Sequence, residues 1–193
     1  MADNPAYQTS LQMLEPATAT EAGRNLLEQS QQEFGMIPNV HAVMANLPGL
    51  LQTYKEGYSR FREQSELTPA EQEVVFLTVS RENECSYCVA GHSIAGDYMS
   101  HVPAAVTDAI RDGKEIPDAR LAALSAFTLA MMRRHGHISK TDAAAFHAAG
   151  FTDKQMLAVI LAIGMKTLSN YTNHLFNTAL EPMMASRAWT TAS

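Results

Sequence analysis

TPAEQEVVFLTVSRENECSYCVAGH, residues Thr68 to His92, decides between helix and strand for the whole chain. Its middle, Val74 to Val79, is apolar on every side, and periodicity alone lets such a run be a buried strand or a buried helix. The residues ahead of it decide. Thr68 followed by Pro69 and Glu71 is a capping box with proline in the first helical turn, and the segment continues to about Glu82, longer than most strands. Asn83-Glu84 reads as a break, after which Cys85 or Ser86 opens a second helix reaching about Ser100.

Working outward, the same signals recur. Toward the N-terminus, Leu50, Leu51, Tyr54, Tyr58 and Phe61 repeat at helical spacing behind Pro48, to about Gln64. Thr20 caps a helix from Glu21 to Phe34 that stops at Gly35 and Pro38, and a short helix follows through Ala45. Residues 1–18 are polar and aperiodic and read as an arm packed on the body or on another subunit; residues 19–193 read as one domain. Toward the C-terminus, Pro103 begins a short helix closed by Asp112-Gly113, and Asp118 to His135 is a long helix ending at Gly136. Ser139 to Asp142 caps the next, which stops at Gly150. Thr152 to Gln155 is another capping box, followed by the apolar MLAVILAIGM, with a last helix expected from about Ser169 to Ala188. No alternating strand pattern and no hairpin turn is present, so the fold class is all-α.

An internal echo lies at an offset of 84 residues: Thr68, Glu71, Val75, Leu77, Val79 and Tyr87 match Thr152, Gln155, Val159, Leu161, Ile163 and Tyr171. It fits duplication of a helical hairpin unit as well as chance similarity among helices. Leu157, Ser169, Thr172 and Phe176 stand where Glu73, Cys85, Cys88 and His92 stand in the first copy, so a true repeat would leave chemistry only in the first.

Composition narrows the function. With 193 residues the chain can bury about 70% of its unfolded surface without staples. Lysine and arginine number 14 against 20 aspartate and glutamate, a net charge of -6, which gives no footprint for nucleic acid and no pull toward anionic membrane. The N-terminal stretch lacks a basic region followed by an apolar run, and no apolar segment approaches the length of a membrane span. The only two cysteines form one CxxC, which in a chain without a disulfide framework points to redox or metal chemistry in a reducing cytoplasm.

Cys88 and His92 are four apart and share a helix face, so the imidazole can take the thiol proton or stabilise the thiolate. Cys85 and Cys88 are three apart at a helix start, where the dipole favours a thiolate. A peroxide or disulfide would be attacked by one thiolate and the product resolved to a Cys85–Cys88 disulfide. Glu73, on the preceding buried helix, needs a partner there, and His92 is the natural one, which makes Glu73 an orienter or relay. Two thiolates and an imidazole are also zinc ligands, but a closed site needs a fourth, for which Glu73 is the candidate; the reading taken is no metal and no cofactor. Tyr87, between the cysteines, is placed to donate to substrate or sulfur, or simply to pack.

Glu73, eleven residues, Cys85-Ser86-Tyr87-Cys88, three residues and His92 resemble the E-x11-C-x-x-C-x3-H signature of AhpD-like alkylhydroperoxidases, within the carboxymuconolactone decarboxylase family. The run from Ile37-Pro38-Asn39 through Leu47-Pro48 resembles peroxidase-related members, so the likeness covers roughly residues 35–180. The resemblance implies an all-helical AhpD-like fold, a homo-oligomer (trimer or hexamer), and a thiol peroxidase reducing hydroperoxides in antioxidant defence. It implies Cys88 as peroxidatic cysteine, Cys85 as resolving cysteine, His92 as base and Glu73 as relay, with a reducing thiol or lipoylated protein as electron donor. Tyr87 departs from it, standing where the best characterised AhpD proteins have histidine.

Two other functions compete: a redox sensor or thiol-disulfide exchange protein without turnover, and a lactone enzyme of the carboxymuconolactone decarboxylase type. Asn170, Asn173 and His174 beside Tyr171 read as an exposed helix face, with a pocket lining or subunit interface as the other reading. His41, His101, His135, His137 and His147 read as surface or cap residues, and the methionines as core filler.

Overall fold

The computed structural model describes residues 7–190, which form nine α-helices and a C-terminal 3-10 helix, with no strand among the described residues. The helices are α1 Glu21–Phe34, α2 Asn39–Met44, α3 Pro48–Gln64, α4 Pro69–Glu82, α5 Ser86–Tyr98, α6 Ala104–Asp112, α7 Ala119–Arg133, α8 Lys140–Ala148 and α9 Asp153–Phe176; Pro182–Arg187 is the 3-10 helix.

The apolar run of α4 makes it the central post. Its side chains from Val74 to Leu77 and Val79 are all buried, because α5, α6, α7 and α9 surround it. The larger core gathers Phe61, Phe76, Val89, Leu124, Phe127, Phe146 and Val159 around this helix. A second core, of Leu27, Val40, Met44, Leu51 and Tyr54, lies between α1, α2 and α3, and Cys85, Tyr87 and Cys88 belong to it. The start of α5 therefore sits where the two cores meet.

Both capping boxes of the sequence echo form, with Thr68 accepting from the Glu71 amide and Thr152 from the Gln155 amide. The exits differ. Helix α4 stops at Asn83, and Glu84 takes a left-handed conformation (φ 56°) that turns the chain into α5. Helix α9 runs on for 24 residues through Ser169, where a new helix was expected, and no last helix extends to Ala188. Gly164 lies within α9 without breaking it; the stop comes at Asn177, left-handed at φ 46°, and Pro182 starts a short 3-10 helix that ends at Arg187.

Residues ahead of α1 lie along the body: the Thr9 amide donates to the Leu175 carbonyl at 3.0 Å and the Leu14 amide to Ala42 at 3.1 Å. Residues 1–6 of the expected arm fall outside the described residues. The chain after α9 folds back over α5, held by ion pairs of Arg187 with Asp97 and Asp108 and by Arg111 donating to the Arg187 and Ala188 carbonyls. One histidine departs from its expected surface position: His41 is 5% exposed and hydrogen-bonded to Ser30 Oγ at 2.9 Å. Burial, aided by Lys55, lowers its pKa to about 4.

Candidate functional site

The turn at Glu84 sets the site. Cys85 caps α5 in an extended conformation, its amide bonded back to the Ser80 carbonyl at 2.9 Å, so the CxxC occupies the first turn of α5 and packs against α4. Both thiols are free, with Cys85 1% and Cys88 4% exposed. The two sulfurs are not equivalent. Asn173 Nδ2 donates to Cys88 Sγ at 3.3 Å and more weakly to Cys85 Sγ at 3.9 Å, and Ser169 Oγ lies 3.8 Å from Cys88 Sγ. For Cys85, a hydrogen bond to Cys88 and burial push the thiol far above its ordinary range. For Cys88, burial opposes the thiolate, but the hydrogen bond from Cys85 and the nearby Lys166 and His92 side chains outweigh it and hold the thiol well below its ordinary range.

Glu73 and His92 meet as their spacing suggested. Glu73, 2% exposed, takes His92 Nδ1 on Oε2 at 2.7 Å and the Arg62 guanidinium on Oε1. Burial pushes its carboxyl up, yet His92 and Arg62 bring it below the ordinary glutamate range. On its other side, His92 Nε2 lies 2.7 Å from Lys166 Nζ, a lysine 1% exposed. An ammonium has only donors, so with Lys166 charged the ring proton of His92 sits on Nδ1 and points at Glu73. Burial and the Lys166 charge lower the His92 pKa against the pull of Glu73. Tyr58 and Phe76 wall this row: their rings stack at 5.1 Å, Phe76 lies 4.9 Å from the His92 ring, and Arg62 lies over both Tyr58 and Phe76. Both nitrogens of His92 are thus engaged, one with Glu73 and one with Lys166, rather than with Cys88.

Tyr87 points away from the sulfurs. Its hydroxyl donates to Glu181 Oε1 at 2.6 Å, and the same oxygen accepts the Asn39 amide at 2.8 Å. A substrate contact through that hydroxyl requires Glu181 to give up its bond. The Tyr87 pKa is raised, by burial first and then by Glu181.

Five residues complete the surroundings beyond the five expected ones: Arg62, Lys166, Ser169, Asn173 and Glu181. Three come from α9, the helix whose second half corresponds to the CxxC helix in the echo. A true repeat was expected to leave chemistry only in the first copy; this half nonetheless places Asn173 against both sulfurs. The expected exposed face is also corrected in part, since Asn170 and Asn173 are buried at 0% and 4% while Tyr171 and His174 are exposed. Lys166, Ser169 or Asn170, and Asn173 recur at helical spacing behind a long apolar run, which is the signal of a polar stripe turned inward.

No protein-family model matches the chain, and no curated protein matches it by sequence. Among solved structures, the AhpD-core protein of Ralstonia eutropha JMP134, an uncharacterized peroxidase-related protein, superposes with a TM-score of 0.79 at 21% identity, covering 90% of this chain and 93% of that one. An uncharacterized peroxidase-related protein from Silicibacter sp. TM1040 gives 0.74 at 21% identity, covering 95% and 96%. The debrominase Bmp8 in complex with 2,3,4-tribromopyrrole gives 0.74 at 14% identity, covering 94% and 97%. The fold is therefore the all-α AhpD-like fold, one also adopted by a debrominase.

Proposed function

We propose that this chain, with the fold of the AhpD-core and peroxidase-related proteins, is a thiol-dependent hydroperoxide reductase in which Cys88 attacks and Cys85 resolves. The observation that carries the reading is the asymmetry of the sulfurs: Cys88 alone has a close amide donor in Asn173 and a thiol held below its ordinary range. The Cys88 thiolate attacks a peroxide oxygen, forming S–O as O–O breaks. A proton from the Glu73–His92–Lys166 row turns the leaving alkoxide into an alcohol. The Cys85 thiol then displaces the sulfenic oxygen as water, leaving the Cys85–Cys88 disulfide. A reducing thiol or a lipoylated protein returns two electrons. The C-terminal 3-10 helix packs against α5.

The working unit in this reading is a homo-oligomer, trimer or hexamer, in a reducing cytoplasm. Support for assembly is the row of exposed apolar side chains Leu157, Ile160, Tyr171 and Leu175 along one side of α9.

The test is peroxide consumption coupled to a dithiol reductant. Cys88→Ser loses turnover, and Cys85→Ser reacts once per chain and stalls. Equal, negligible consumption by wild type and Cys88→Ser sinks the peroxidase reading; disulfide closure without turnover then favours a redox sensor. Titration of alkylation separates the sulfurs further. A depressed pKa keeps the thiolate as pH falls, so Cys88 reacts with iodoacetamide at pH values where Cys85 does not.

The likeness to the debrominase Bmp8 favours a second reading, reductive debromination. The dithiol would supply two electrons and a proton to replace a carbon–bromine bond by carbon–hydrogen, releasing bromide and the same disulfide. Bromide release from 2,3,4-tribromopyrrole by the reduced protein checks it.

A further inference from the structure

Lys166 is the least explained charge in the molecule. It lies on α9 behind the apolar run, 1% exposed, and forms no ion pair with a carboxylate among the described residues. A buried ammonium needs a counter-charge or loses its proton. Glu73 is already matched by Arg62 on Oε1 and spends Oε2 on His92 Nδ1, so it offers Lys166 no oxygen. The remaining titratable groups packed around this row are Tyr54 and Tyr58 from α3, Cys85, Tyr87, Cys88 and His92 from α5, and Glu181 from the C-terminal segment. Both tyrosines of α3 are held neutral, Tyr58 with its pKa pushed up to about 12. Glu181 faces Tyr87 and the Asn39 amide. Cys85, through its hydrogen bond to Cys88 and its burial, and Tyr87, through burial and Glu181, are held neutral as well, which leaves Cys88 as the group whose anion would balance the row. Ser169 and Asn173, on the turns of α9 that follow Lys166, both reach its sulfur, so this face of the helix is turned toward it.

We propose that Lys166 is the counter-cation of a Cys88 thiolate, and that His92 stays a neutral ring held between Glu73 and Lys166 rather than acting as the thiolate's imidazolium partner. The row then reads Arg62 positive, Glu73 negative, His92 neutral, Lys166 positive, Cys88 negative, and sums to zero. Lys166 is a positioning residue here, acting on the sulfur through charge and on the ring through its hydrogen bond. The inference rests on the thiol redox reading of the cysteine pair but needs no peroxide.

The experiment is the pH dependence of iodoacetamide alkylation in a Cys85→Ser background, where Cys88 alone reports. Lys166→Met moves the midpoint up by about 1–3 pH units. Lys166→Arg, which keeps the charge, stays near the parent. His92→Gln, which keeps a neutral acceptor for the lysine, also stays near the parent. The proposal is overturned if Lys166→Met titrates with the parent, or if His92→Gln moves the midpoint as far as Lys166→Met does. Should Lys166→Met fail to fold, the ring nitrogen NMR shifts of His92 in the reduced wild type decide. A neutral ring protonated on Nδ1 at neutral pH sustains the assignment, and an imidazolium overturns it. Loss of peroxide turnover with this titration pattern intact sinks the peroxidase reading and leaves Lys166 in place.

Discussion

The α4–α5 pair and α9 begin alike and end differently. Each opens on a threonine capping box and continues into an apolar run, buried all round in α4 but exposed at Leu157 and Ile160 in α9, yet α4 breaks at Asn83 while α9 continues straight through the equivalent register. The break brings two cysteines to the first turn of a helix, where free amides and dipole favour a thiolate. The unbroken helix delivers a serine and an asparagine to the Cys88 sulfur and, from the same inward face, a lysine to His92. The contrast teaches that nucleophiles and the polarity around them have separate structural sources: a turn supplies the first, a straight helix the second.

That division is breakable in graded ways. The largest effect belongs to the carboxylate joining the two sides: Glu73→Gln leaves Arg62 and the His92–Lys166 pair short of their anion and lowers stability by about 3–5 kcal/mol in denaturant unfolding. Next is the α9 contribution to the sulfur. Asn173→Leu removes the amide donor at 3.3 Å and slows Cys88 alkylation at neutral pH about 10-fold, the equivalent of one lost hydrogen bond to a charged group. Thr68→Ala and Thr152→Ala each cost about 1 kcal/mol; two similar losses support equivalent entries, and a large inequality breaks the parallel. The smallest effect tests the exits. Glu84→Gly relieves a side chain held at φ 56° and raises stability by about 0.5–1 kcal/mol. Leu168→Gly, at the matching position inside α9, costs about 1 kcal/mol beyond Leu168→Ala.

The legibility of this molecule in its sequence follows the same split. The CxxC, His92 and Glu73 stood out because their relation is local: two spacings within one helix and one hairpin. The boundaries of α1, α3 and α4 were readable from Thr20, Pro48 and the capping box at Thr68 for the same reason. Lys166, Asn173, Arg62 and Glu181 were not, since each finds its partner from another element, and a lysine after an apolar run looks like a surface terminus until tertiary packing closes over it. The helix expected to start near Ser169 is the second half of α9, which the apolar run before it enters without a break. Asn177, a residue tolerant of the left-handed region, held the real stop signal.

The clasp at Glu181 Oε1 has a kinetic meaning. It joins the Tyr87 hydroxyl across 94 residues and the Asn39 amide across 142, while His92 waits for Lys166 across 74 and Cys88 for Asn173 across 85. Contacts so distant along the chain form late, because their loops must close before any of them is rewarded. A nascent chain that has made α4 and α5 but not α9 holds two ordinary thiols without donor or cation. Its cysteines gain the contacts of Ser169 and Asn173 only when the last helix docks, so the polar surroundings of the sulfurs are withheld from every incomplete form of the protein.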